Sequence, residues 1–105
     1  MVAEPGEVWL ADLGLAAKTR PVLILSRDDP DAPRALVTYV PLTTQNRNSR
    51  YEIYLGKLRF LREASVANVQ GIGSIPSARL QKKIGVVPAD TFATIKQALR
   101  FALDL

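Results

Sequence analysis

The sequence predicts a mainly β fold, a small and strongly curved barrel of short strands with one helix packed on it at the C-terminal end. Three observations predict it. Short apolar runs separated by proline, glycine and polar breaks recur from residue 6 to residue 76. The one helical spacing in that span, Val66, Val69, Ile72 and Ile75, is broken by Gly71, Gly73 and Pro76. From Pro88 onward, Phe92, Ile95, Leu99 and Ala102 recur at spacings of three and four, with Leu103 alongside, as one apolar stripe of a helix requires. A chain of 105 residues fits a single domain, 1–105, able to bury one modest core without staples.

The elements follow in order. GEVWLADL, residues 6–13, is a first strand with a polar start. PVLILS, 21–26, is too short for a buried helix and rich in branched residues; it reads as a core strand with Pro21 at its first position. RDDPDAPR, 27–34, is a loop or hairpin tip, and ALVTYVPLT, 35–43, is the second long strand. TQNRNSRY, 44–51, has no period and is a loop, whereas EIYL, 52–55, alternates as a half-buried strand does. GKLRFLREAS, 56–65, fits either an irregular connection or a short strand, and 65–76 reads as strand with breaks. SARLQKK, 77–83, suggests a short helical turn, and the terminal helix runs over 88–104 with Pro88 in its first turn and Asp90 facing the exposed amides.

Composition removes more chemistry than any motif adds. There is no His and no Cys, so no Ser-His-Asp triad, no Cys/His nucleophile pair, no structural zinc site and no disulfide framework can be built. Asp28, Asp29 and Asp31 sit in a proline-interrupted turn, where aspartate serves turn chemistry. GIGS, 71–74, lacks the third glycine of a dinucleotide loop, and GKLR, 56–59, lacks the rest of a phosphate loop. No cofactor and no metal are expected. The start, MVAEPGEVW, has neither the basic nor the apolar region of a signal peptide, and no apolar run nears the roughly 18 residues of a membrane span, so a cytoplasmic protein without membrane contact is expected. Lys and Arg number 14 against 10 Asp and Glu, a net charge of +4 that suits a polyanionic partner.

What remains is the set of groups that hold a phosphate. Arg20, in KTRPVLILS, carries a fixed fork of donors and a permanent charge, suited to clamping a phosphate oxygen or stabilising charge that develops on one. If strands 21–26 and 35–43 pair antiparallel around the short loop, the start of the first lies beside the end of the second. Thr43 can then present a hydroxyl to the same phosphate. The same residues also fit a plainer assignment, Arg20 as a solvated strand-flanking charge and Thr43 as a turn residue.

GEVWLADL, KTRPVLILS, YVPLTTQ and SVANVQGIGSIPSARLQKKIGVVPADTFATIKQAL, in this order, resemble the MazF/PemK family, the toxin nucleases of bacterial and archaeal type II toxin–antitoxin systems. The resemblance covers essentially the whole chain and implies an SH3-like barrel with a C-terminal helix, a homodimer and cleavage of single-stranded RNA or mRNA without a metal. It implies a cognate acidic antitoxin, MazE-like, whose disordered C-terminal tail occupies the RNA site. The family's catalytic arginine falls on Arg20 and its catalytic threonine on Thr43. RNA contacts are assigned to Lys18, Thr44, Gln45, Arg47, Arg50, Gln70, Ser74 and Arg79. Where many members read DQIRTLD this chain has QGIGSIP, so Gly73 takes the arginine position and Ser74 that of the threonine; the loop before Arg20 shortens to GLAAKTR. These departures bear on substrate preference and catalytic power, not on fold.

The implied mechanism uses the RNA's 2′-hydroxyl as nucleophile and yields a 2′,3′-cyclic phosphate and a free 5′-hydroxyl. Arg20 stabilises the phosphorane and Thr43 orients a phosphate oxygen. Two other functions fit the same residues. One is a basic RNA-binding barrel that never cuts, with Lys57 and Arg59 beside Arg47 and Arg50 as phosphate contacts and Tyr39, Tyr51, Tyr54 or Phe60 as stacking surfaces or simply core. The other is a family relative acting on topoisomerase.

Overall fold

The computed structural model describes residues 2–14 and 19–105. Among the described residues, seven strands, β1 (Glu7–Asp12), β2 (Thr19–Ile24), β3 (Leu36–Thr43), β4 (Glu52–Gly56), β5 (Ser65–Asn68), β6 (Gly73–Pro76) and β7 (Leu80–Val86), precede a single helix, α1 (Ala89–Leu103). Short 3-10 turns occupy Val69–Gly71 and Ser77–Arg79. Alternation within the strands builds two apolar layers, one on each face of the sheet. Val8 and Leu23 with Val40, Leu42 and Val69 pack beneath Ile95, Ala98 and Leu99 of α1. Trp9, Ala11, Val22, Ile24, Val37 and Ile75 form the second layer on the opposite face. The uninterrupted apolar run of β2 is explained by this: both of its faces are buried.

β3 organises the sheet because it changes partners along its length. Leu36 to Tyr39 pair with β6, Tyr39 to Pro41 pair with β2, and Leu42 and Thr43 pair with Ala67 and Val66 of β5. β1 continues the sheet beyond β2, and β7 pairs with β1.

The expected SH3-like barrel is not formed. The strands follow the open path β4-β5-β3-β2-β1-β7, with β6 attached to β3, and β4 and β7 stay at opposite ends without a ladder between them among the described residues. Side-chain packing takes the place of the missing hydrogen bonds. The irregular segment 57–64 that follows β4 lays the Phe60 ring on Gly85 of β7, so closely that a Cβ at Gly85 would overlap the ring. The apolar layer is thereby continued where the backbone does not close.

α1 begins after Pro88, with Asp90 in its first turn and Ile95, Ala98 and Leu99 buried. It ends where Asp104 turns left-handed at φ 57° and its amide reaches the Arg100 and Phe101 carbonyls. Leu103, expected beside the stripe, is instead 47% exposed at the last helical turn. No helix among the described residues is long and apolar enough to cross a membrane. The helical turn expected over 77–83 is confined to Ser77–Arg79; the rest is β7, an edge strand whose Gln81, Lys82 and Lys83 all face solvent.

Candidate active site

The site is created where β2 and β3 part. Their register pairs Val22 with Pro41, Leu23 with Val40 and Ile24 with Tyr39; carried two residues further it would set Arg20 opposite Thr43. The ladder stops at Pro41, which has no amide to donate, and the strands diverge to other partners. Arg20 pairs with Ala11 of β1 and Thr43 with Val66 of β5. A groove of about 640 Å³ opens between them, lined by Arg20, Tyr39, Pro41, Thr43, Arg47 and Glu52 among others. Strand alternation sets Arg20 in line with Val22 and Ile24, and Thr43 with Tyr39 and Val37, so the groove lies on the face away from α1.

The Arg20 side chain is exposed and has no hydrogen bond or ion pair among the described residues. Its charge is therefore uncommitted. Thr43 Oγ1 accepts the Gln45 amide at 3.1 Å, which leaves its own hydrogen free to donate into the groove. Arg47 Nη2 donates to Gln45 Oε1 at 3.4 Å, and Thr44 and Gln45 also line the groove.

One carboxylate orders this loop. Glu52 Oε1 accepts the Ser49 hydroxyl at 2.8 Å and the Ser49 amide at 3.1 Å, while the Arg47 amide lies 3.2 Å from both Oε1 and Oε2. The Ser49 hydroxyl is the largest influence on this group; with the two amides it outweighs the opposing effect of burial and holds the Glu52 carboxyl below the ordinary carboxylate range. Asn48, at φ 57°, adopts the left-handed turn that asparagine tolerates, its amide donating to Asn46 Oδ1 at 2.8 Å.

The remaining residues assigned to RNA contact lie elsewhere. Arg50 stacks 3.6 Å from the centroid of Phe101, itself packed against Tyr51, and so ties the loop to the end of α1. Gln70 sits on the first 3-10 turn, its amide donating to Asn68 Oδ1 at 3.2 Å. Ser74 Oγ lies 3.1 Å from Thr38 Oγ1 on β3. Arg79 Nη1 donates to the Asp12 carbonyl at 3.4 Å and faces its carboxylate at 3.9 Å. Lys18 lies outside the described residues. The three-carboxylate turn carries its own turn bond, Asp31 amide to Asp29 Oδ1 at 2.9 Å, and among the described residues no group of three or more His, Cys, Asp or Glu could hold a metal ion.

Of the aromatics offered as stacking surfaces or core, Tyr39 lines the groove, and its position two and four residues before Pro41 and Thr43 is the alternation signal that places it on the same face. One groove residue escapes an assignment by residue type. Glu52 is an acid where a basic groove is sought; nothing in its local sequence announces the loop amides that it collects.

An open β sheet with one helix on one face and a groove lined by cationic and hydroxyl donors on the other is the frame of a small β protein suited to receive an anion. Residues 4–103 match the PemK-like, MazF-like toxins of type II toxin-antitoxin systems. The endoribonuclease MazF3 of Mycobacterium tuberculosis is 32% identical over 88 residues, covering 84% of this chain and 85% of the relative. The Mycobacterium tuberculosis toxin MazF-mt6 superposes with a TM-score of 0.82 at 30% identity, over 94% of this chain and 97% of its own. An endoribonuclease from a mycobacterial species, solved in complex with its cognate antitoxin, gives 0.83 at 30% identity over 99% and 97%. The chain belongs to this toxin family.

Proposed function

We propose that the protein is the toxin of a type II toxin–antitoxin pair and an endoribonuclease that cuts single-stranded RNA in the groove between β2 and β3. The observation that carries this reading is the convergence of Arg20, an arginine without a partner among the described residues, and Thr43, a hydroxyl with its hydrogen free, across one groove. The substrate's 2′-hydroxyl attacks the adjacent phosphorus, the P–O5′ bond breaks, and the products carry a 2′,3′-cyclic phosphate and a 5′-hydroxyl. Arg20 stabilises the charge that builds on the phosphorane oxygens, and Thr43 donates to one of them and fixes its orientation. Thr44, Gln45 and Arg47 hold the flanking chain.

The protein acts as a single domain and a homodimer in the cytoplasm. Its inhibitor is a small acidic antitoxin whose disordered C-terminal tail is drawn to the same cationic groove and excludes RNA from it. Support comes from the mycobacterial relative that was solved with its antitoxin. Incubating the purified protein and its R20A variant with a long single-stranded RNA tests the reading. Cleavage by the parent alone is the expected result, and equal rates for the two proteins overturn it.

A further inference from the structure

An anionic side chain in a groove that must receive a polyanion needs a reason, and loop order supplies only half of one. Glu52 Oε1 is saturated by the Ser49 hydroxyl, the Ser49 amide and a share of the Arg47 amide. Oε2 accepts nothing else among the described residues than the other share of that same amide, at 3.2 Å. A carboxylate oxygen accepts at more than one site, so Oε2 keeps lone-pair capacity on a residue that lines the groove with Arg20 and Thr43. No cation among the described residues forms an ion pair with it; the Arg47 guanidinium donates to Gln45 and acts on the Glu52 charge only from a distance. Phosphate cannot use such an oxygen, because both groups only accept. A base can.

We infer that Glu52 is a specificity-determining residue that accepts, through Oε2, the exocyclic amine of a base next to the scissile phosphate, so that adenine, cytosine and guanine are taken and uracil is refused. The inference rests on the endoribonuclease reading above and names the base class that this groove selects. Single-stranded RNA presents its unstacked base edges to proteins, and carboxylates pair with the cytosine amine by the same donor–acceptor logic. Uracil has no exocyclic amine and turns a carbonyl oxygen to this position, so it is repelled; guanine turns its N1–H and N2 amine to a carboxylate and is accepted. The negative charge thus acts as a filter on the base while Arg20 holds the backbone.

The substitution E52Q inverts this code without removing the side chain. Three donor contacts converge on Oε1, so the glutamine must keep its carbonyl oxygen there, which turns its amine outward to the place of Oε2. A random RNA pool cut by the parent and by E52Q, with the fragment ends sequenced, reads the preference directly. A 2′-O-methyl pool, which lacks the nucleophile, reads it in binding. The parent should disfavour uracil at one position beside the cut by about tenfold, and E52Q should move the preference there toward uracil. An unchanged preference in a folded E52Q overturns the inference and leaves the nuclease reading standing. A parent that cuts nothing overturns the nuclease reading, and then the same swap in the binding pool upholds the inference and its absence overturns it. A second measurement does not depend on the variant folding: replacing an adenine at that position by purine, or a cytosine by 2-pyrimidinone, deletes only the amine. It should slow the parent about tenfold; no slowing overturns the inference.

Discussion

Truncating Leu99 to alanine separates the two faces of the sheet. Leu99 is 9% exposed in the layer between α1 and the strands, against Ile95, Val69 and their neighbours, and no residue of that helix lines the groove. Leu→Ala at such a site costs about 3 kcal/mol, the lost transfer energy plus the cavity that the fixed sheet cannot collapse. For a domain of this size each kcal/mol moves the midpoint about 4 to 8 °C, so L99A should melt roughly 12 to 24 °C below the parent. The melt is followed by circular dichroism, and RNA cleavage is measured well below the variant's transition. There kcat/KM should match the parent, because Arg20 and Thr43 stand on the other face. An unchanged melting temperature, or cleavage lost in a fully folded L99A protein, would refute the separation of a stabilising face from a reacting one.

R20A should lose about two to three powers of ten in cleavage rate while melting like the parent, as expected for one electrostatic donor to a transition state. T43S should stay closer to the parent than T43V, since only the serine keeps the hydroxyl; equal rates for both would remove Thr43 from the mechanism. G85A drives a methyl into the Phe60 ring and should cost about 1 to 3 kcal/mol in denaturant melts, a loss that would be absent if the Phe60 segment were not docked on β7. Burial alone would raise the Glu7 carboxyl, but the Glu4 amide, the Trp9 indole at 2.9 Å and Lys83 at 2.9 Å outweigh it and hold it below its ordinary value. With the folded value depressed, its stabilising effect is present above the unfolded carboxylate pKa and is lost as pH falls through the folded one. Urea midpoints from neutral to acid pH should therefore fall more steeply for the parent than for E7Q, and parallel curves would contradict the sign.

β2, β3 and α1 were legible because their burial is written in one dimension: branched runs for strands covered on both faces, a three-and-four spacing for a helix covered on one. The pairing of β2 with β3 followed from their short connection, and with it the approach of Arg20 to Thr43. β7 is not legible, since an edge strand with Gln81, Lys82 and Lys83 in solvent shows no alternation, and 77–83 reads as a helical turn. Closure of the sheet into a barrel depends on hydrogen bonds between its most distant strands, which no local pattern encodes, and here Phe60 on Gly85 stands in their place. Arg50 reads as a phosphate ligand by residue type; that its guanidinium also lies over Phe101 depends on a long-range approach that no local pattern encodes. Glu52 is illegible for the converse reason, its sign being wrong for RNA until its loop donors are counted.

The most direct test of the account is the chemistry of the ends. A short single-stranded RNA containing one preferred site is incubated with the protein in the presence of a chelator, and its products are weighed by mass spectrometry beside those of the same strand carrying a single 2′-deoxy sugar 5′ to the scissile phosphate. The account predicts a 2′,3′-cyclic phosphate on one fragment, a 5′-hydroxyl on the other, and no cut at that position in the deoxy strand. Cleavage of the deoxy strand there, or fragments ending in a 5′-phosphate, would contradict a groove in which Arg20 and Thr43 serve attack by the substrate's own hydroxyl.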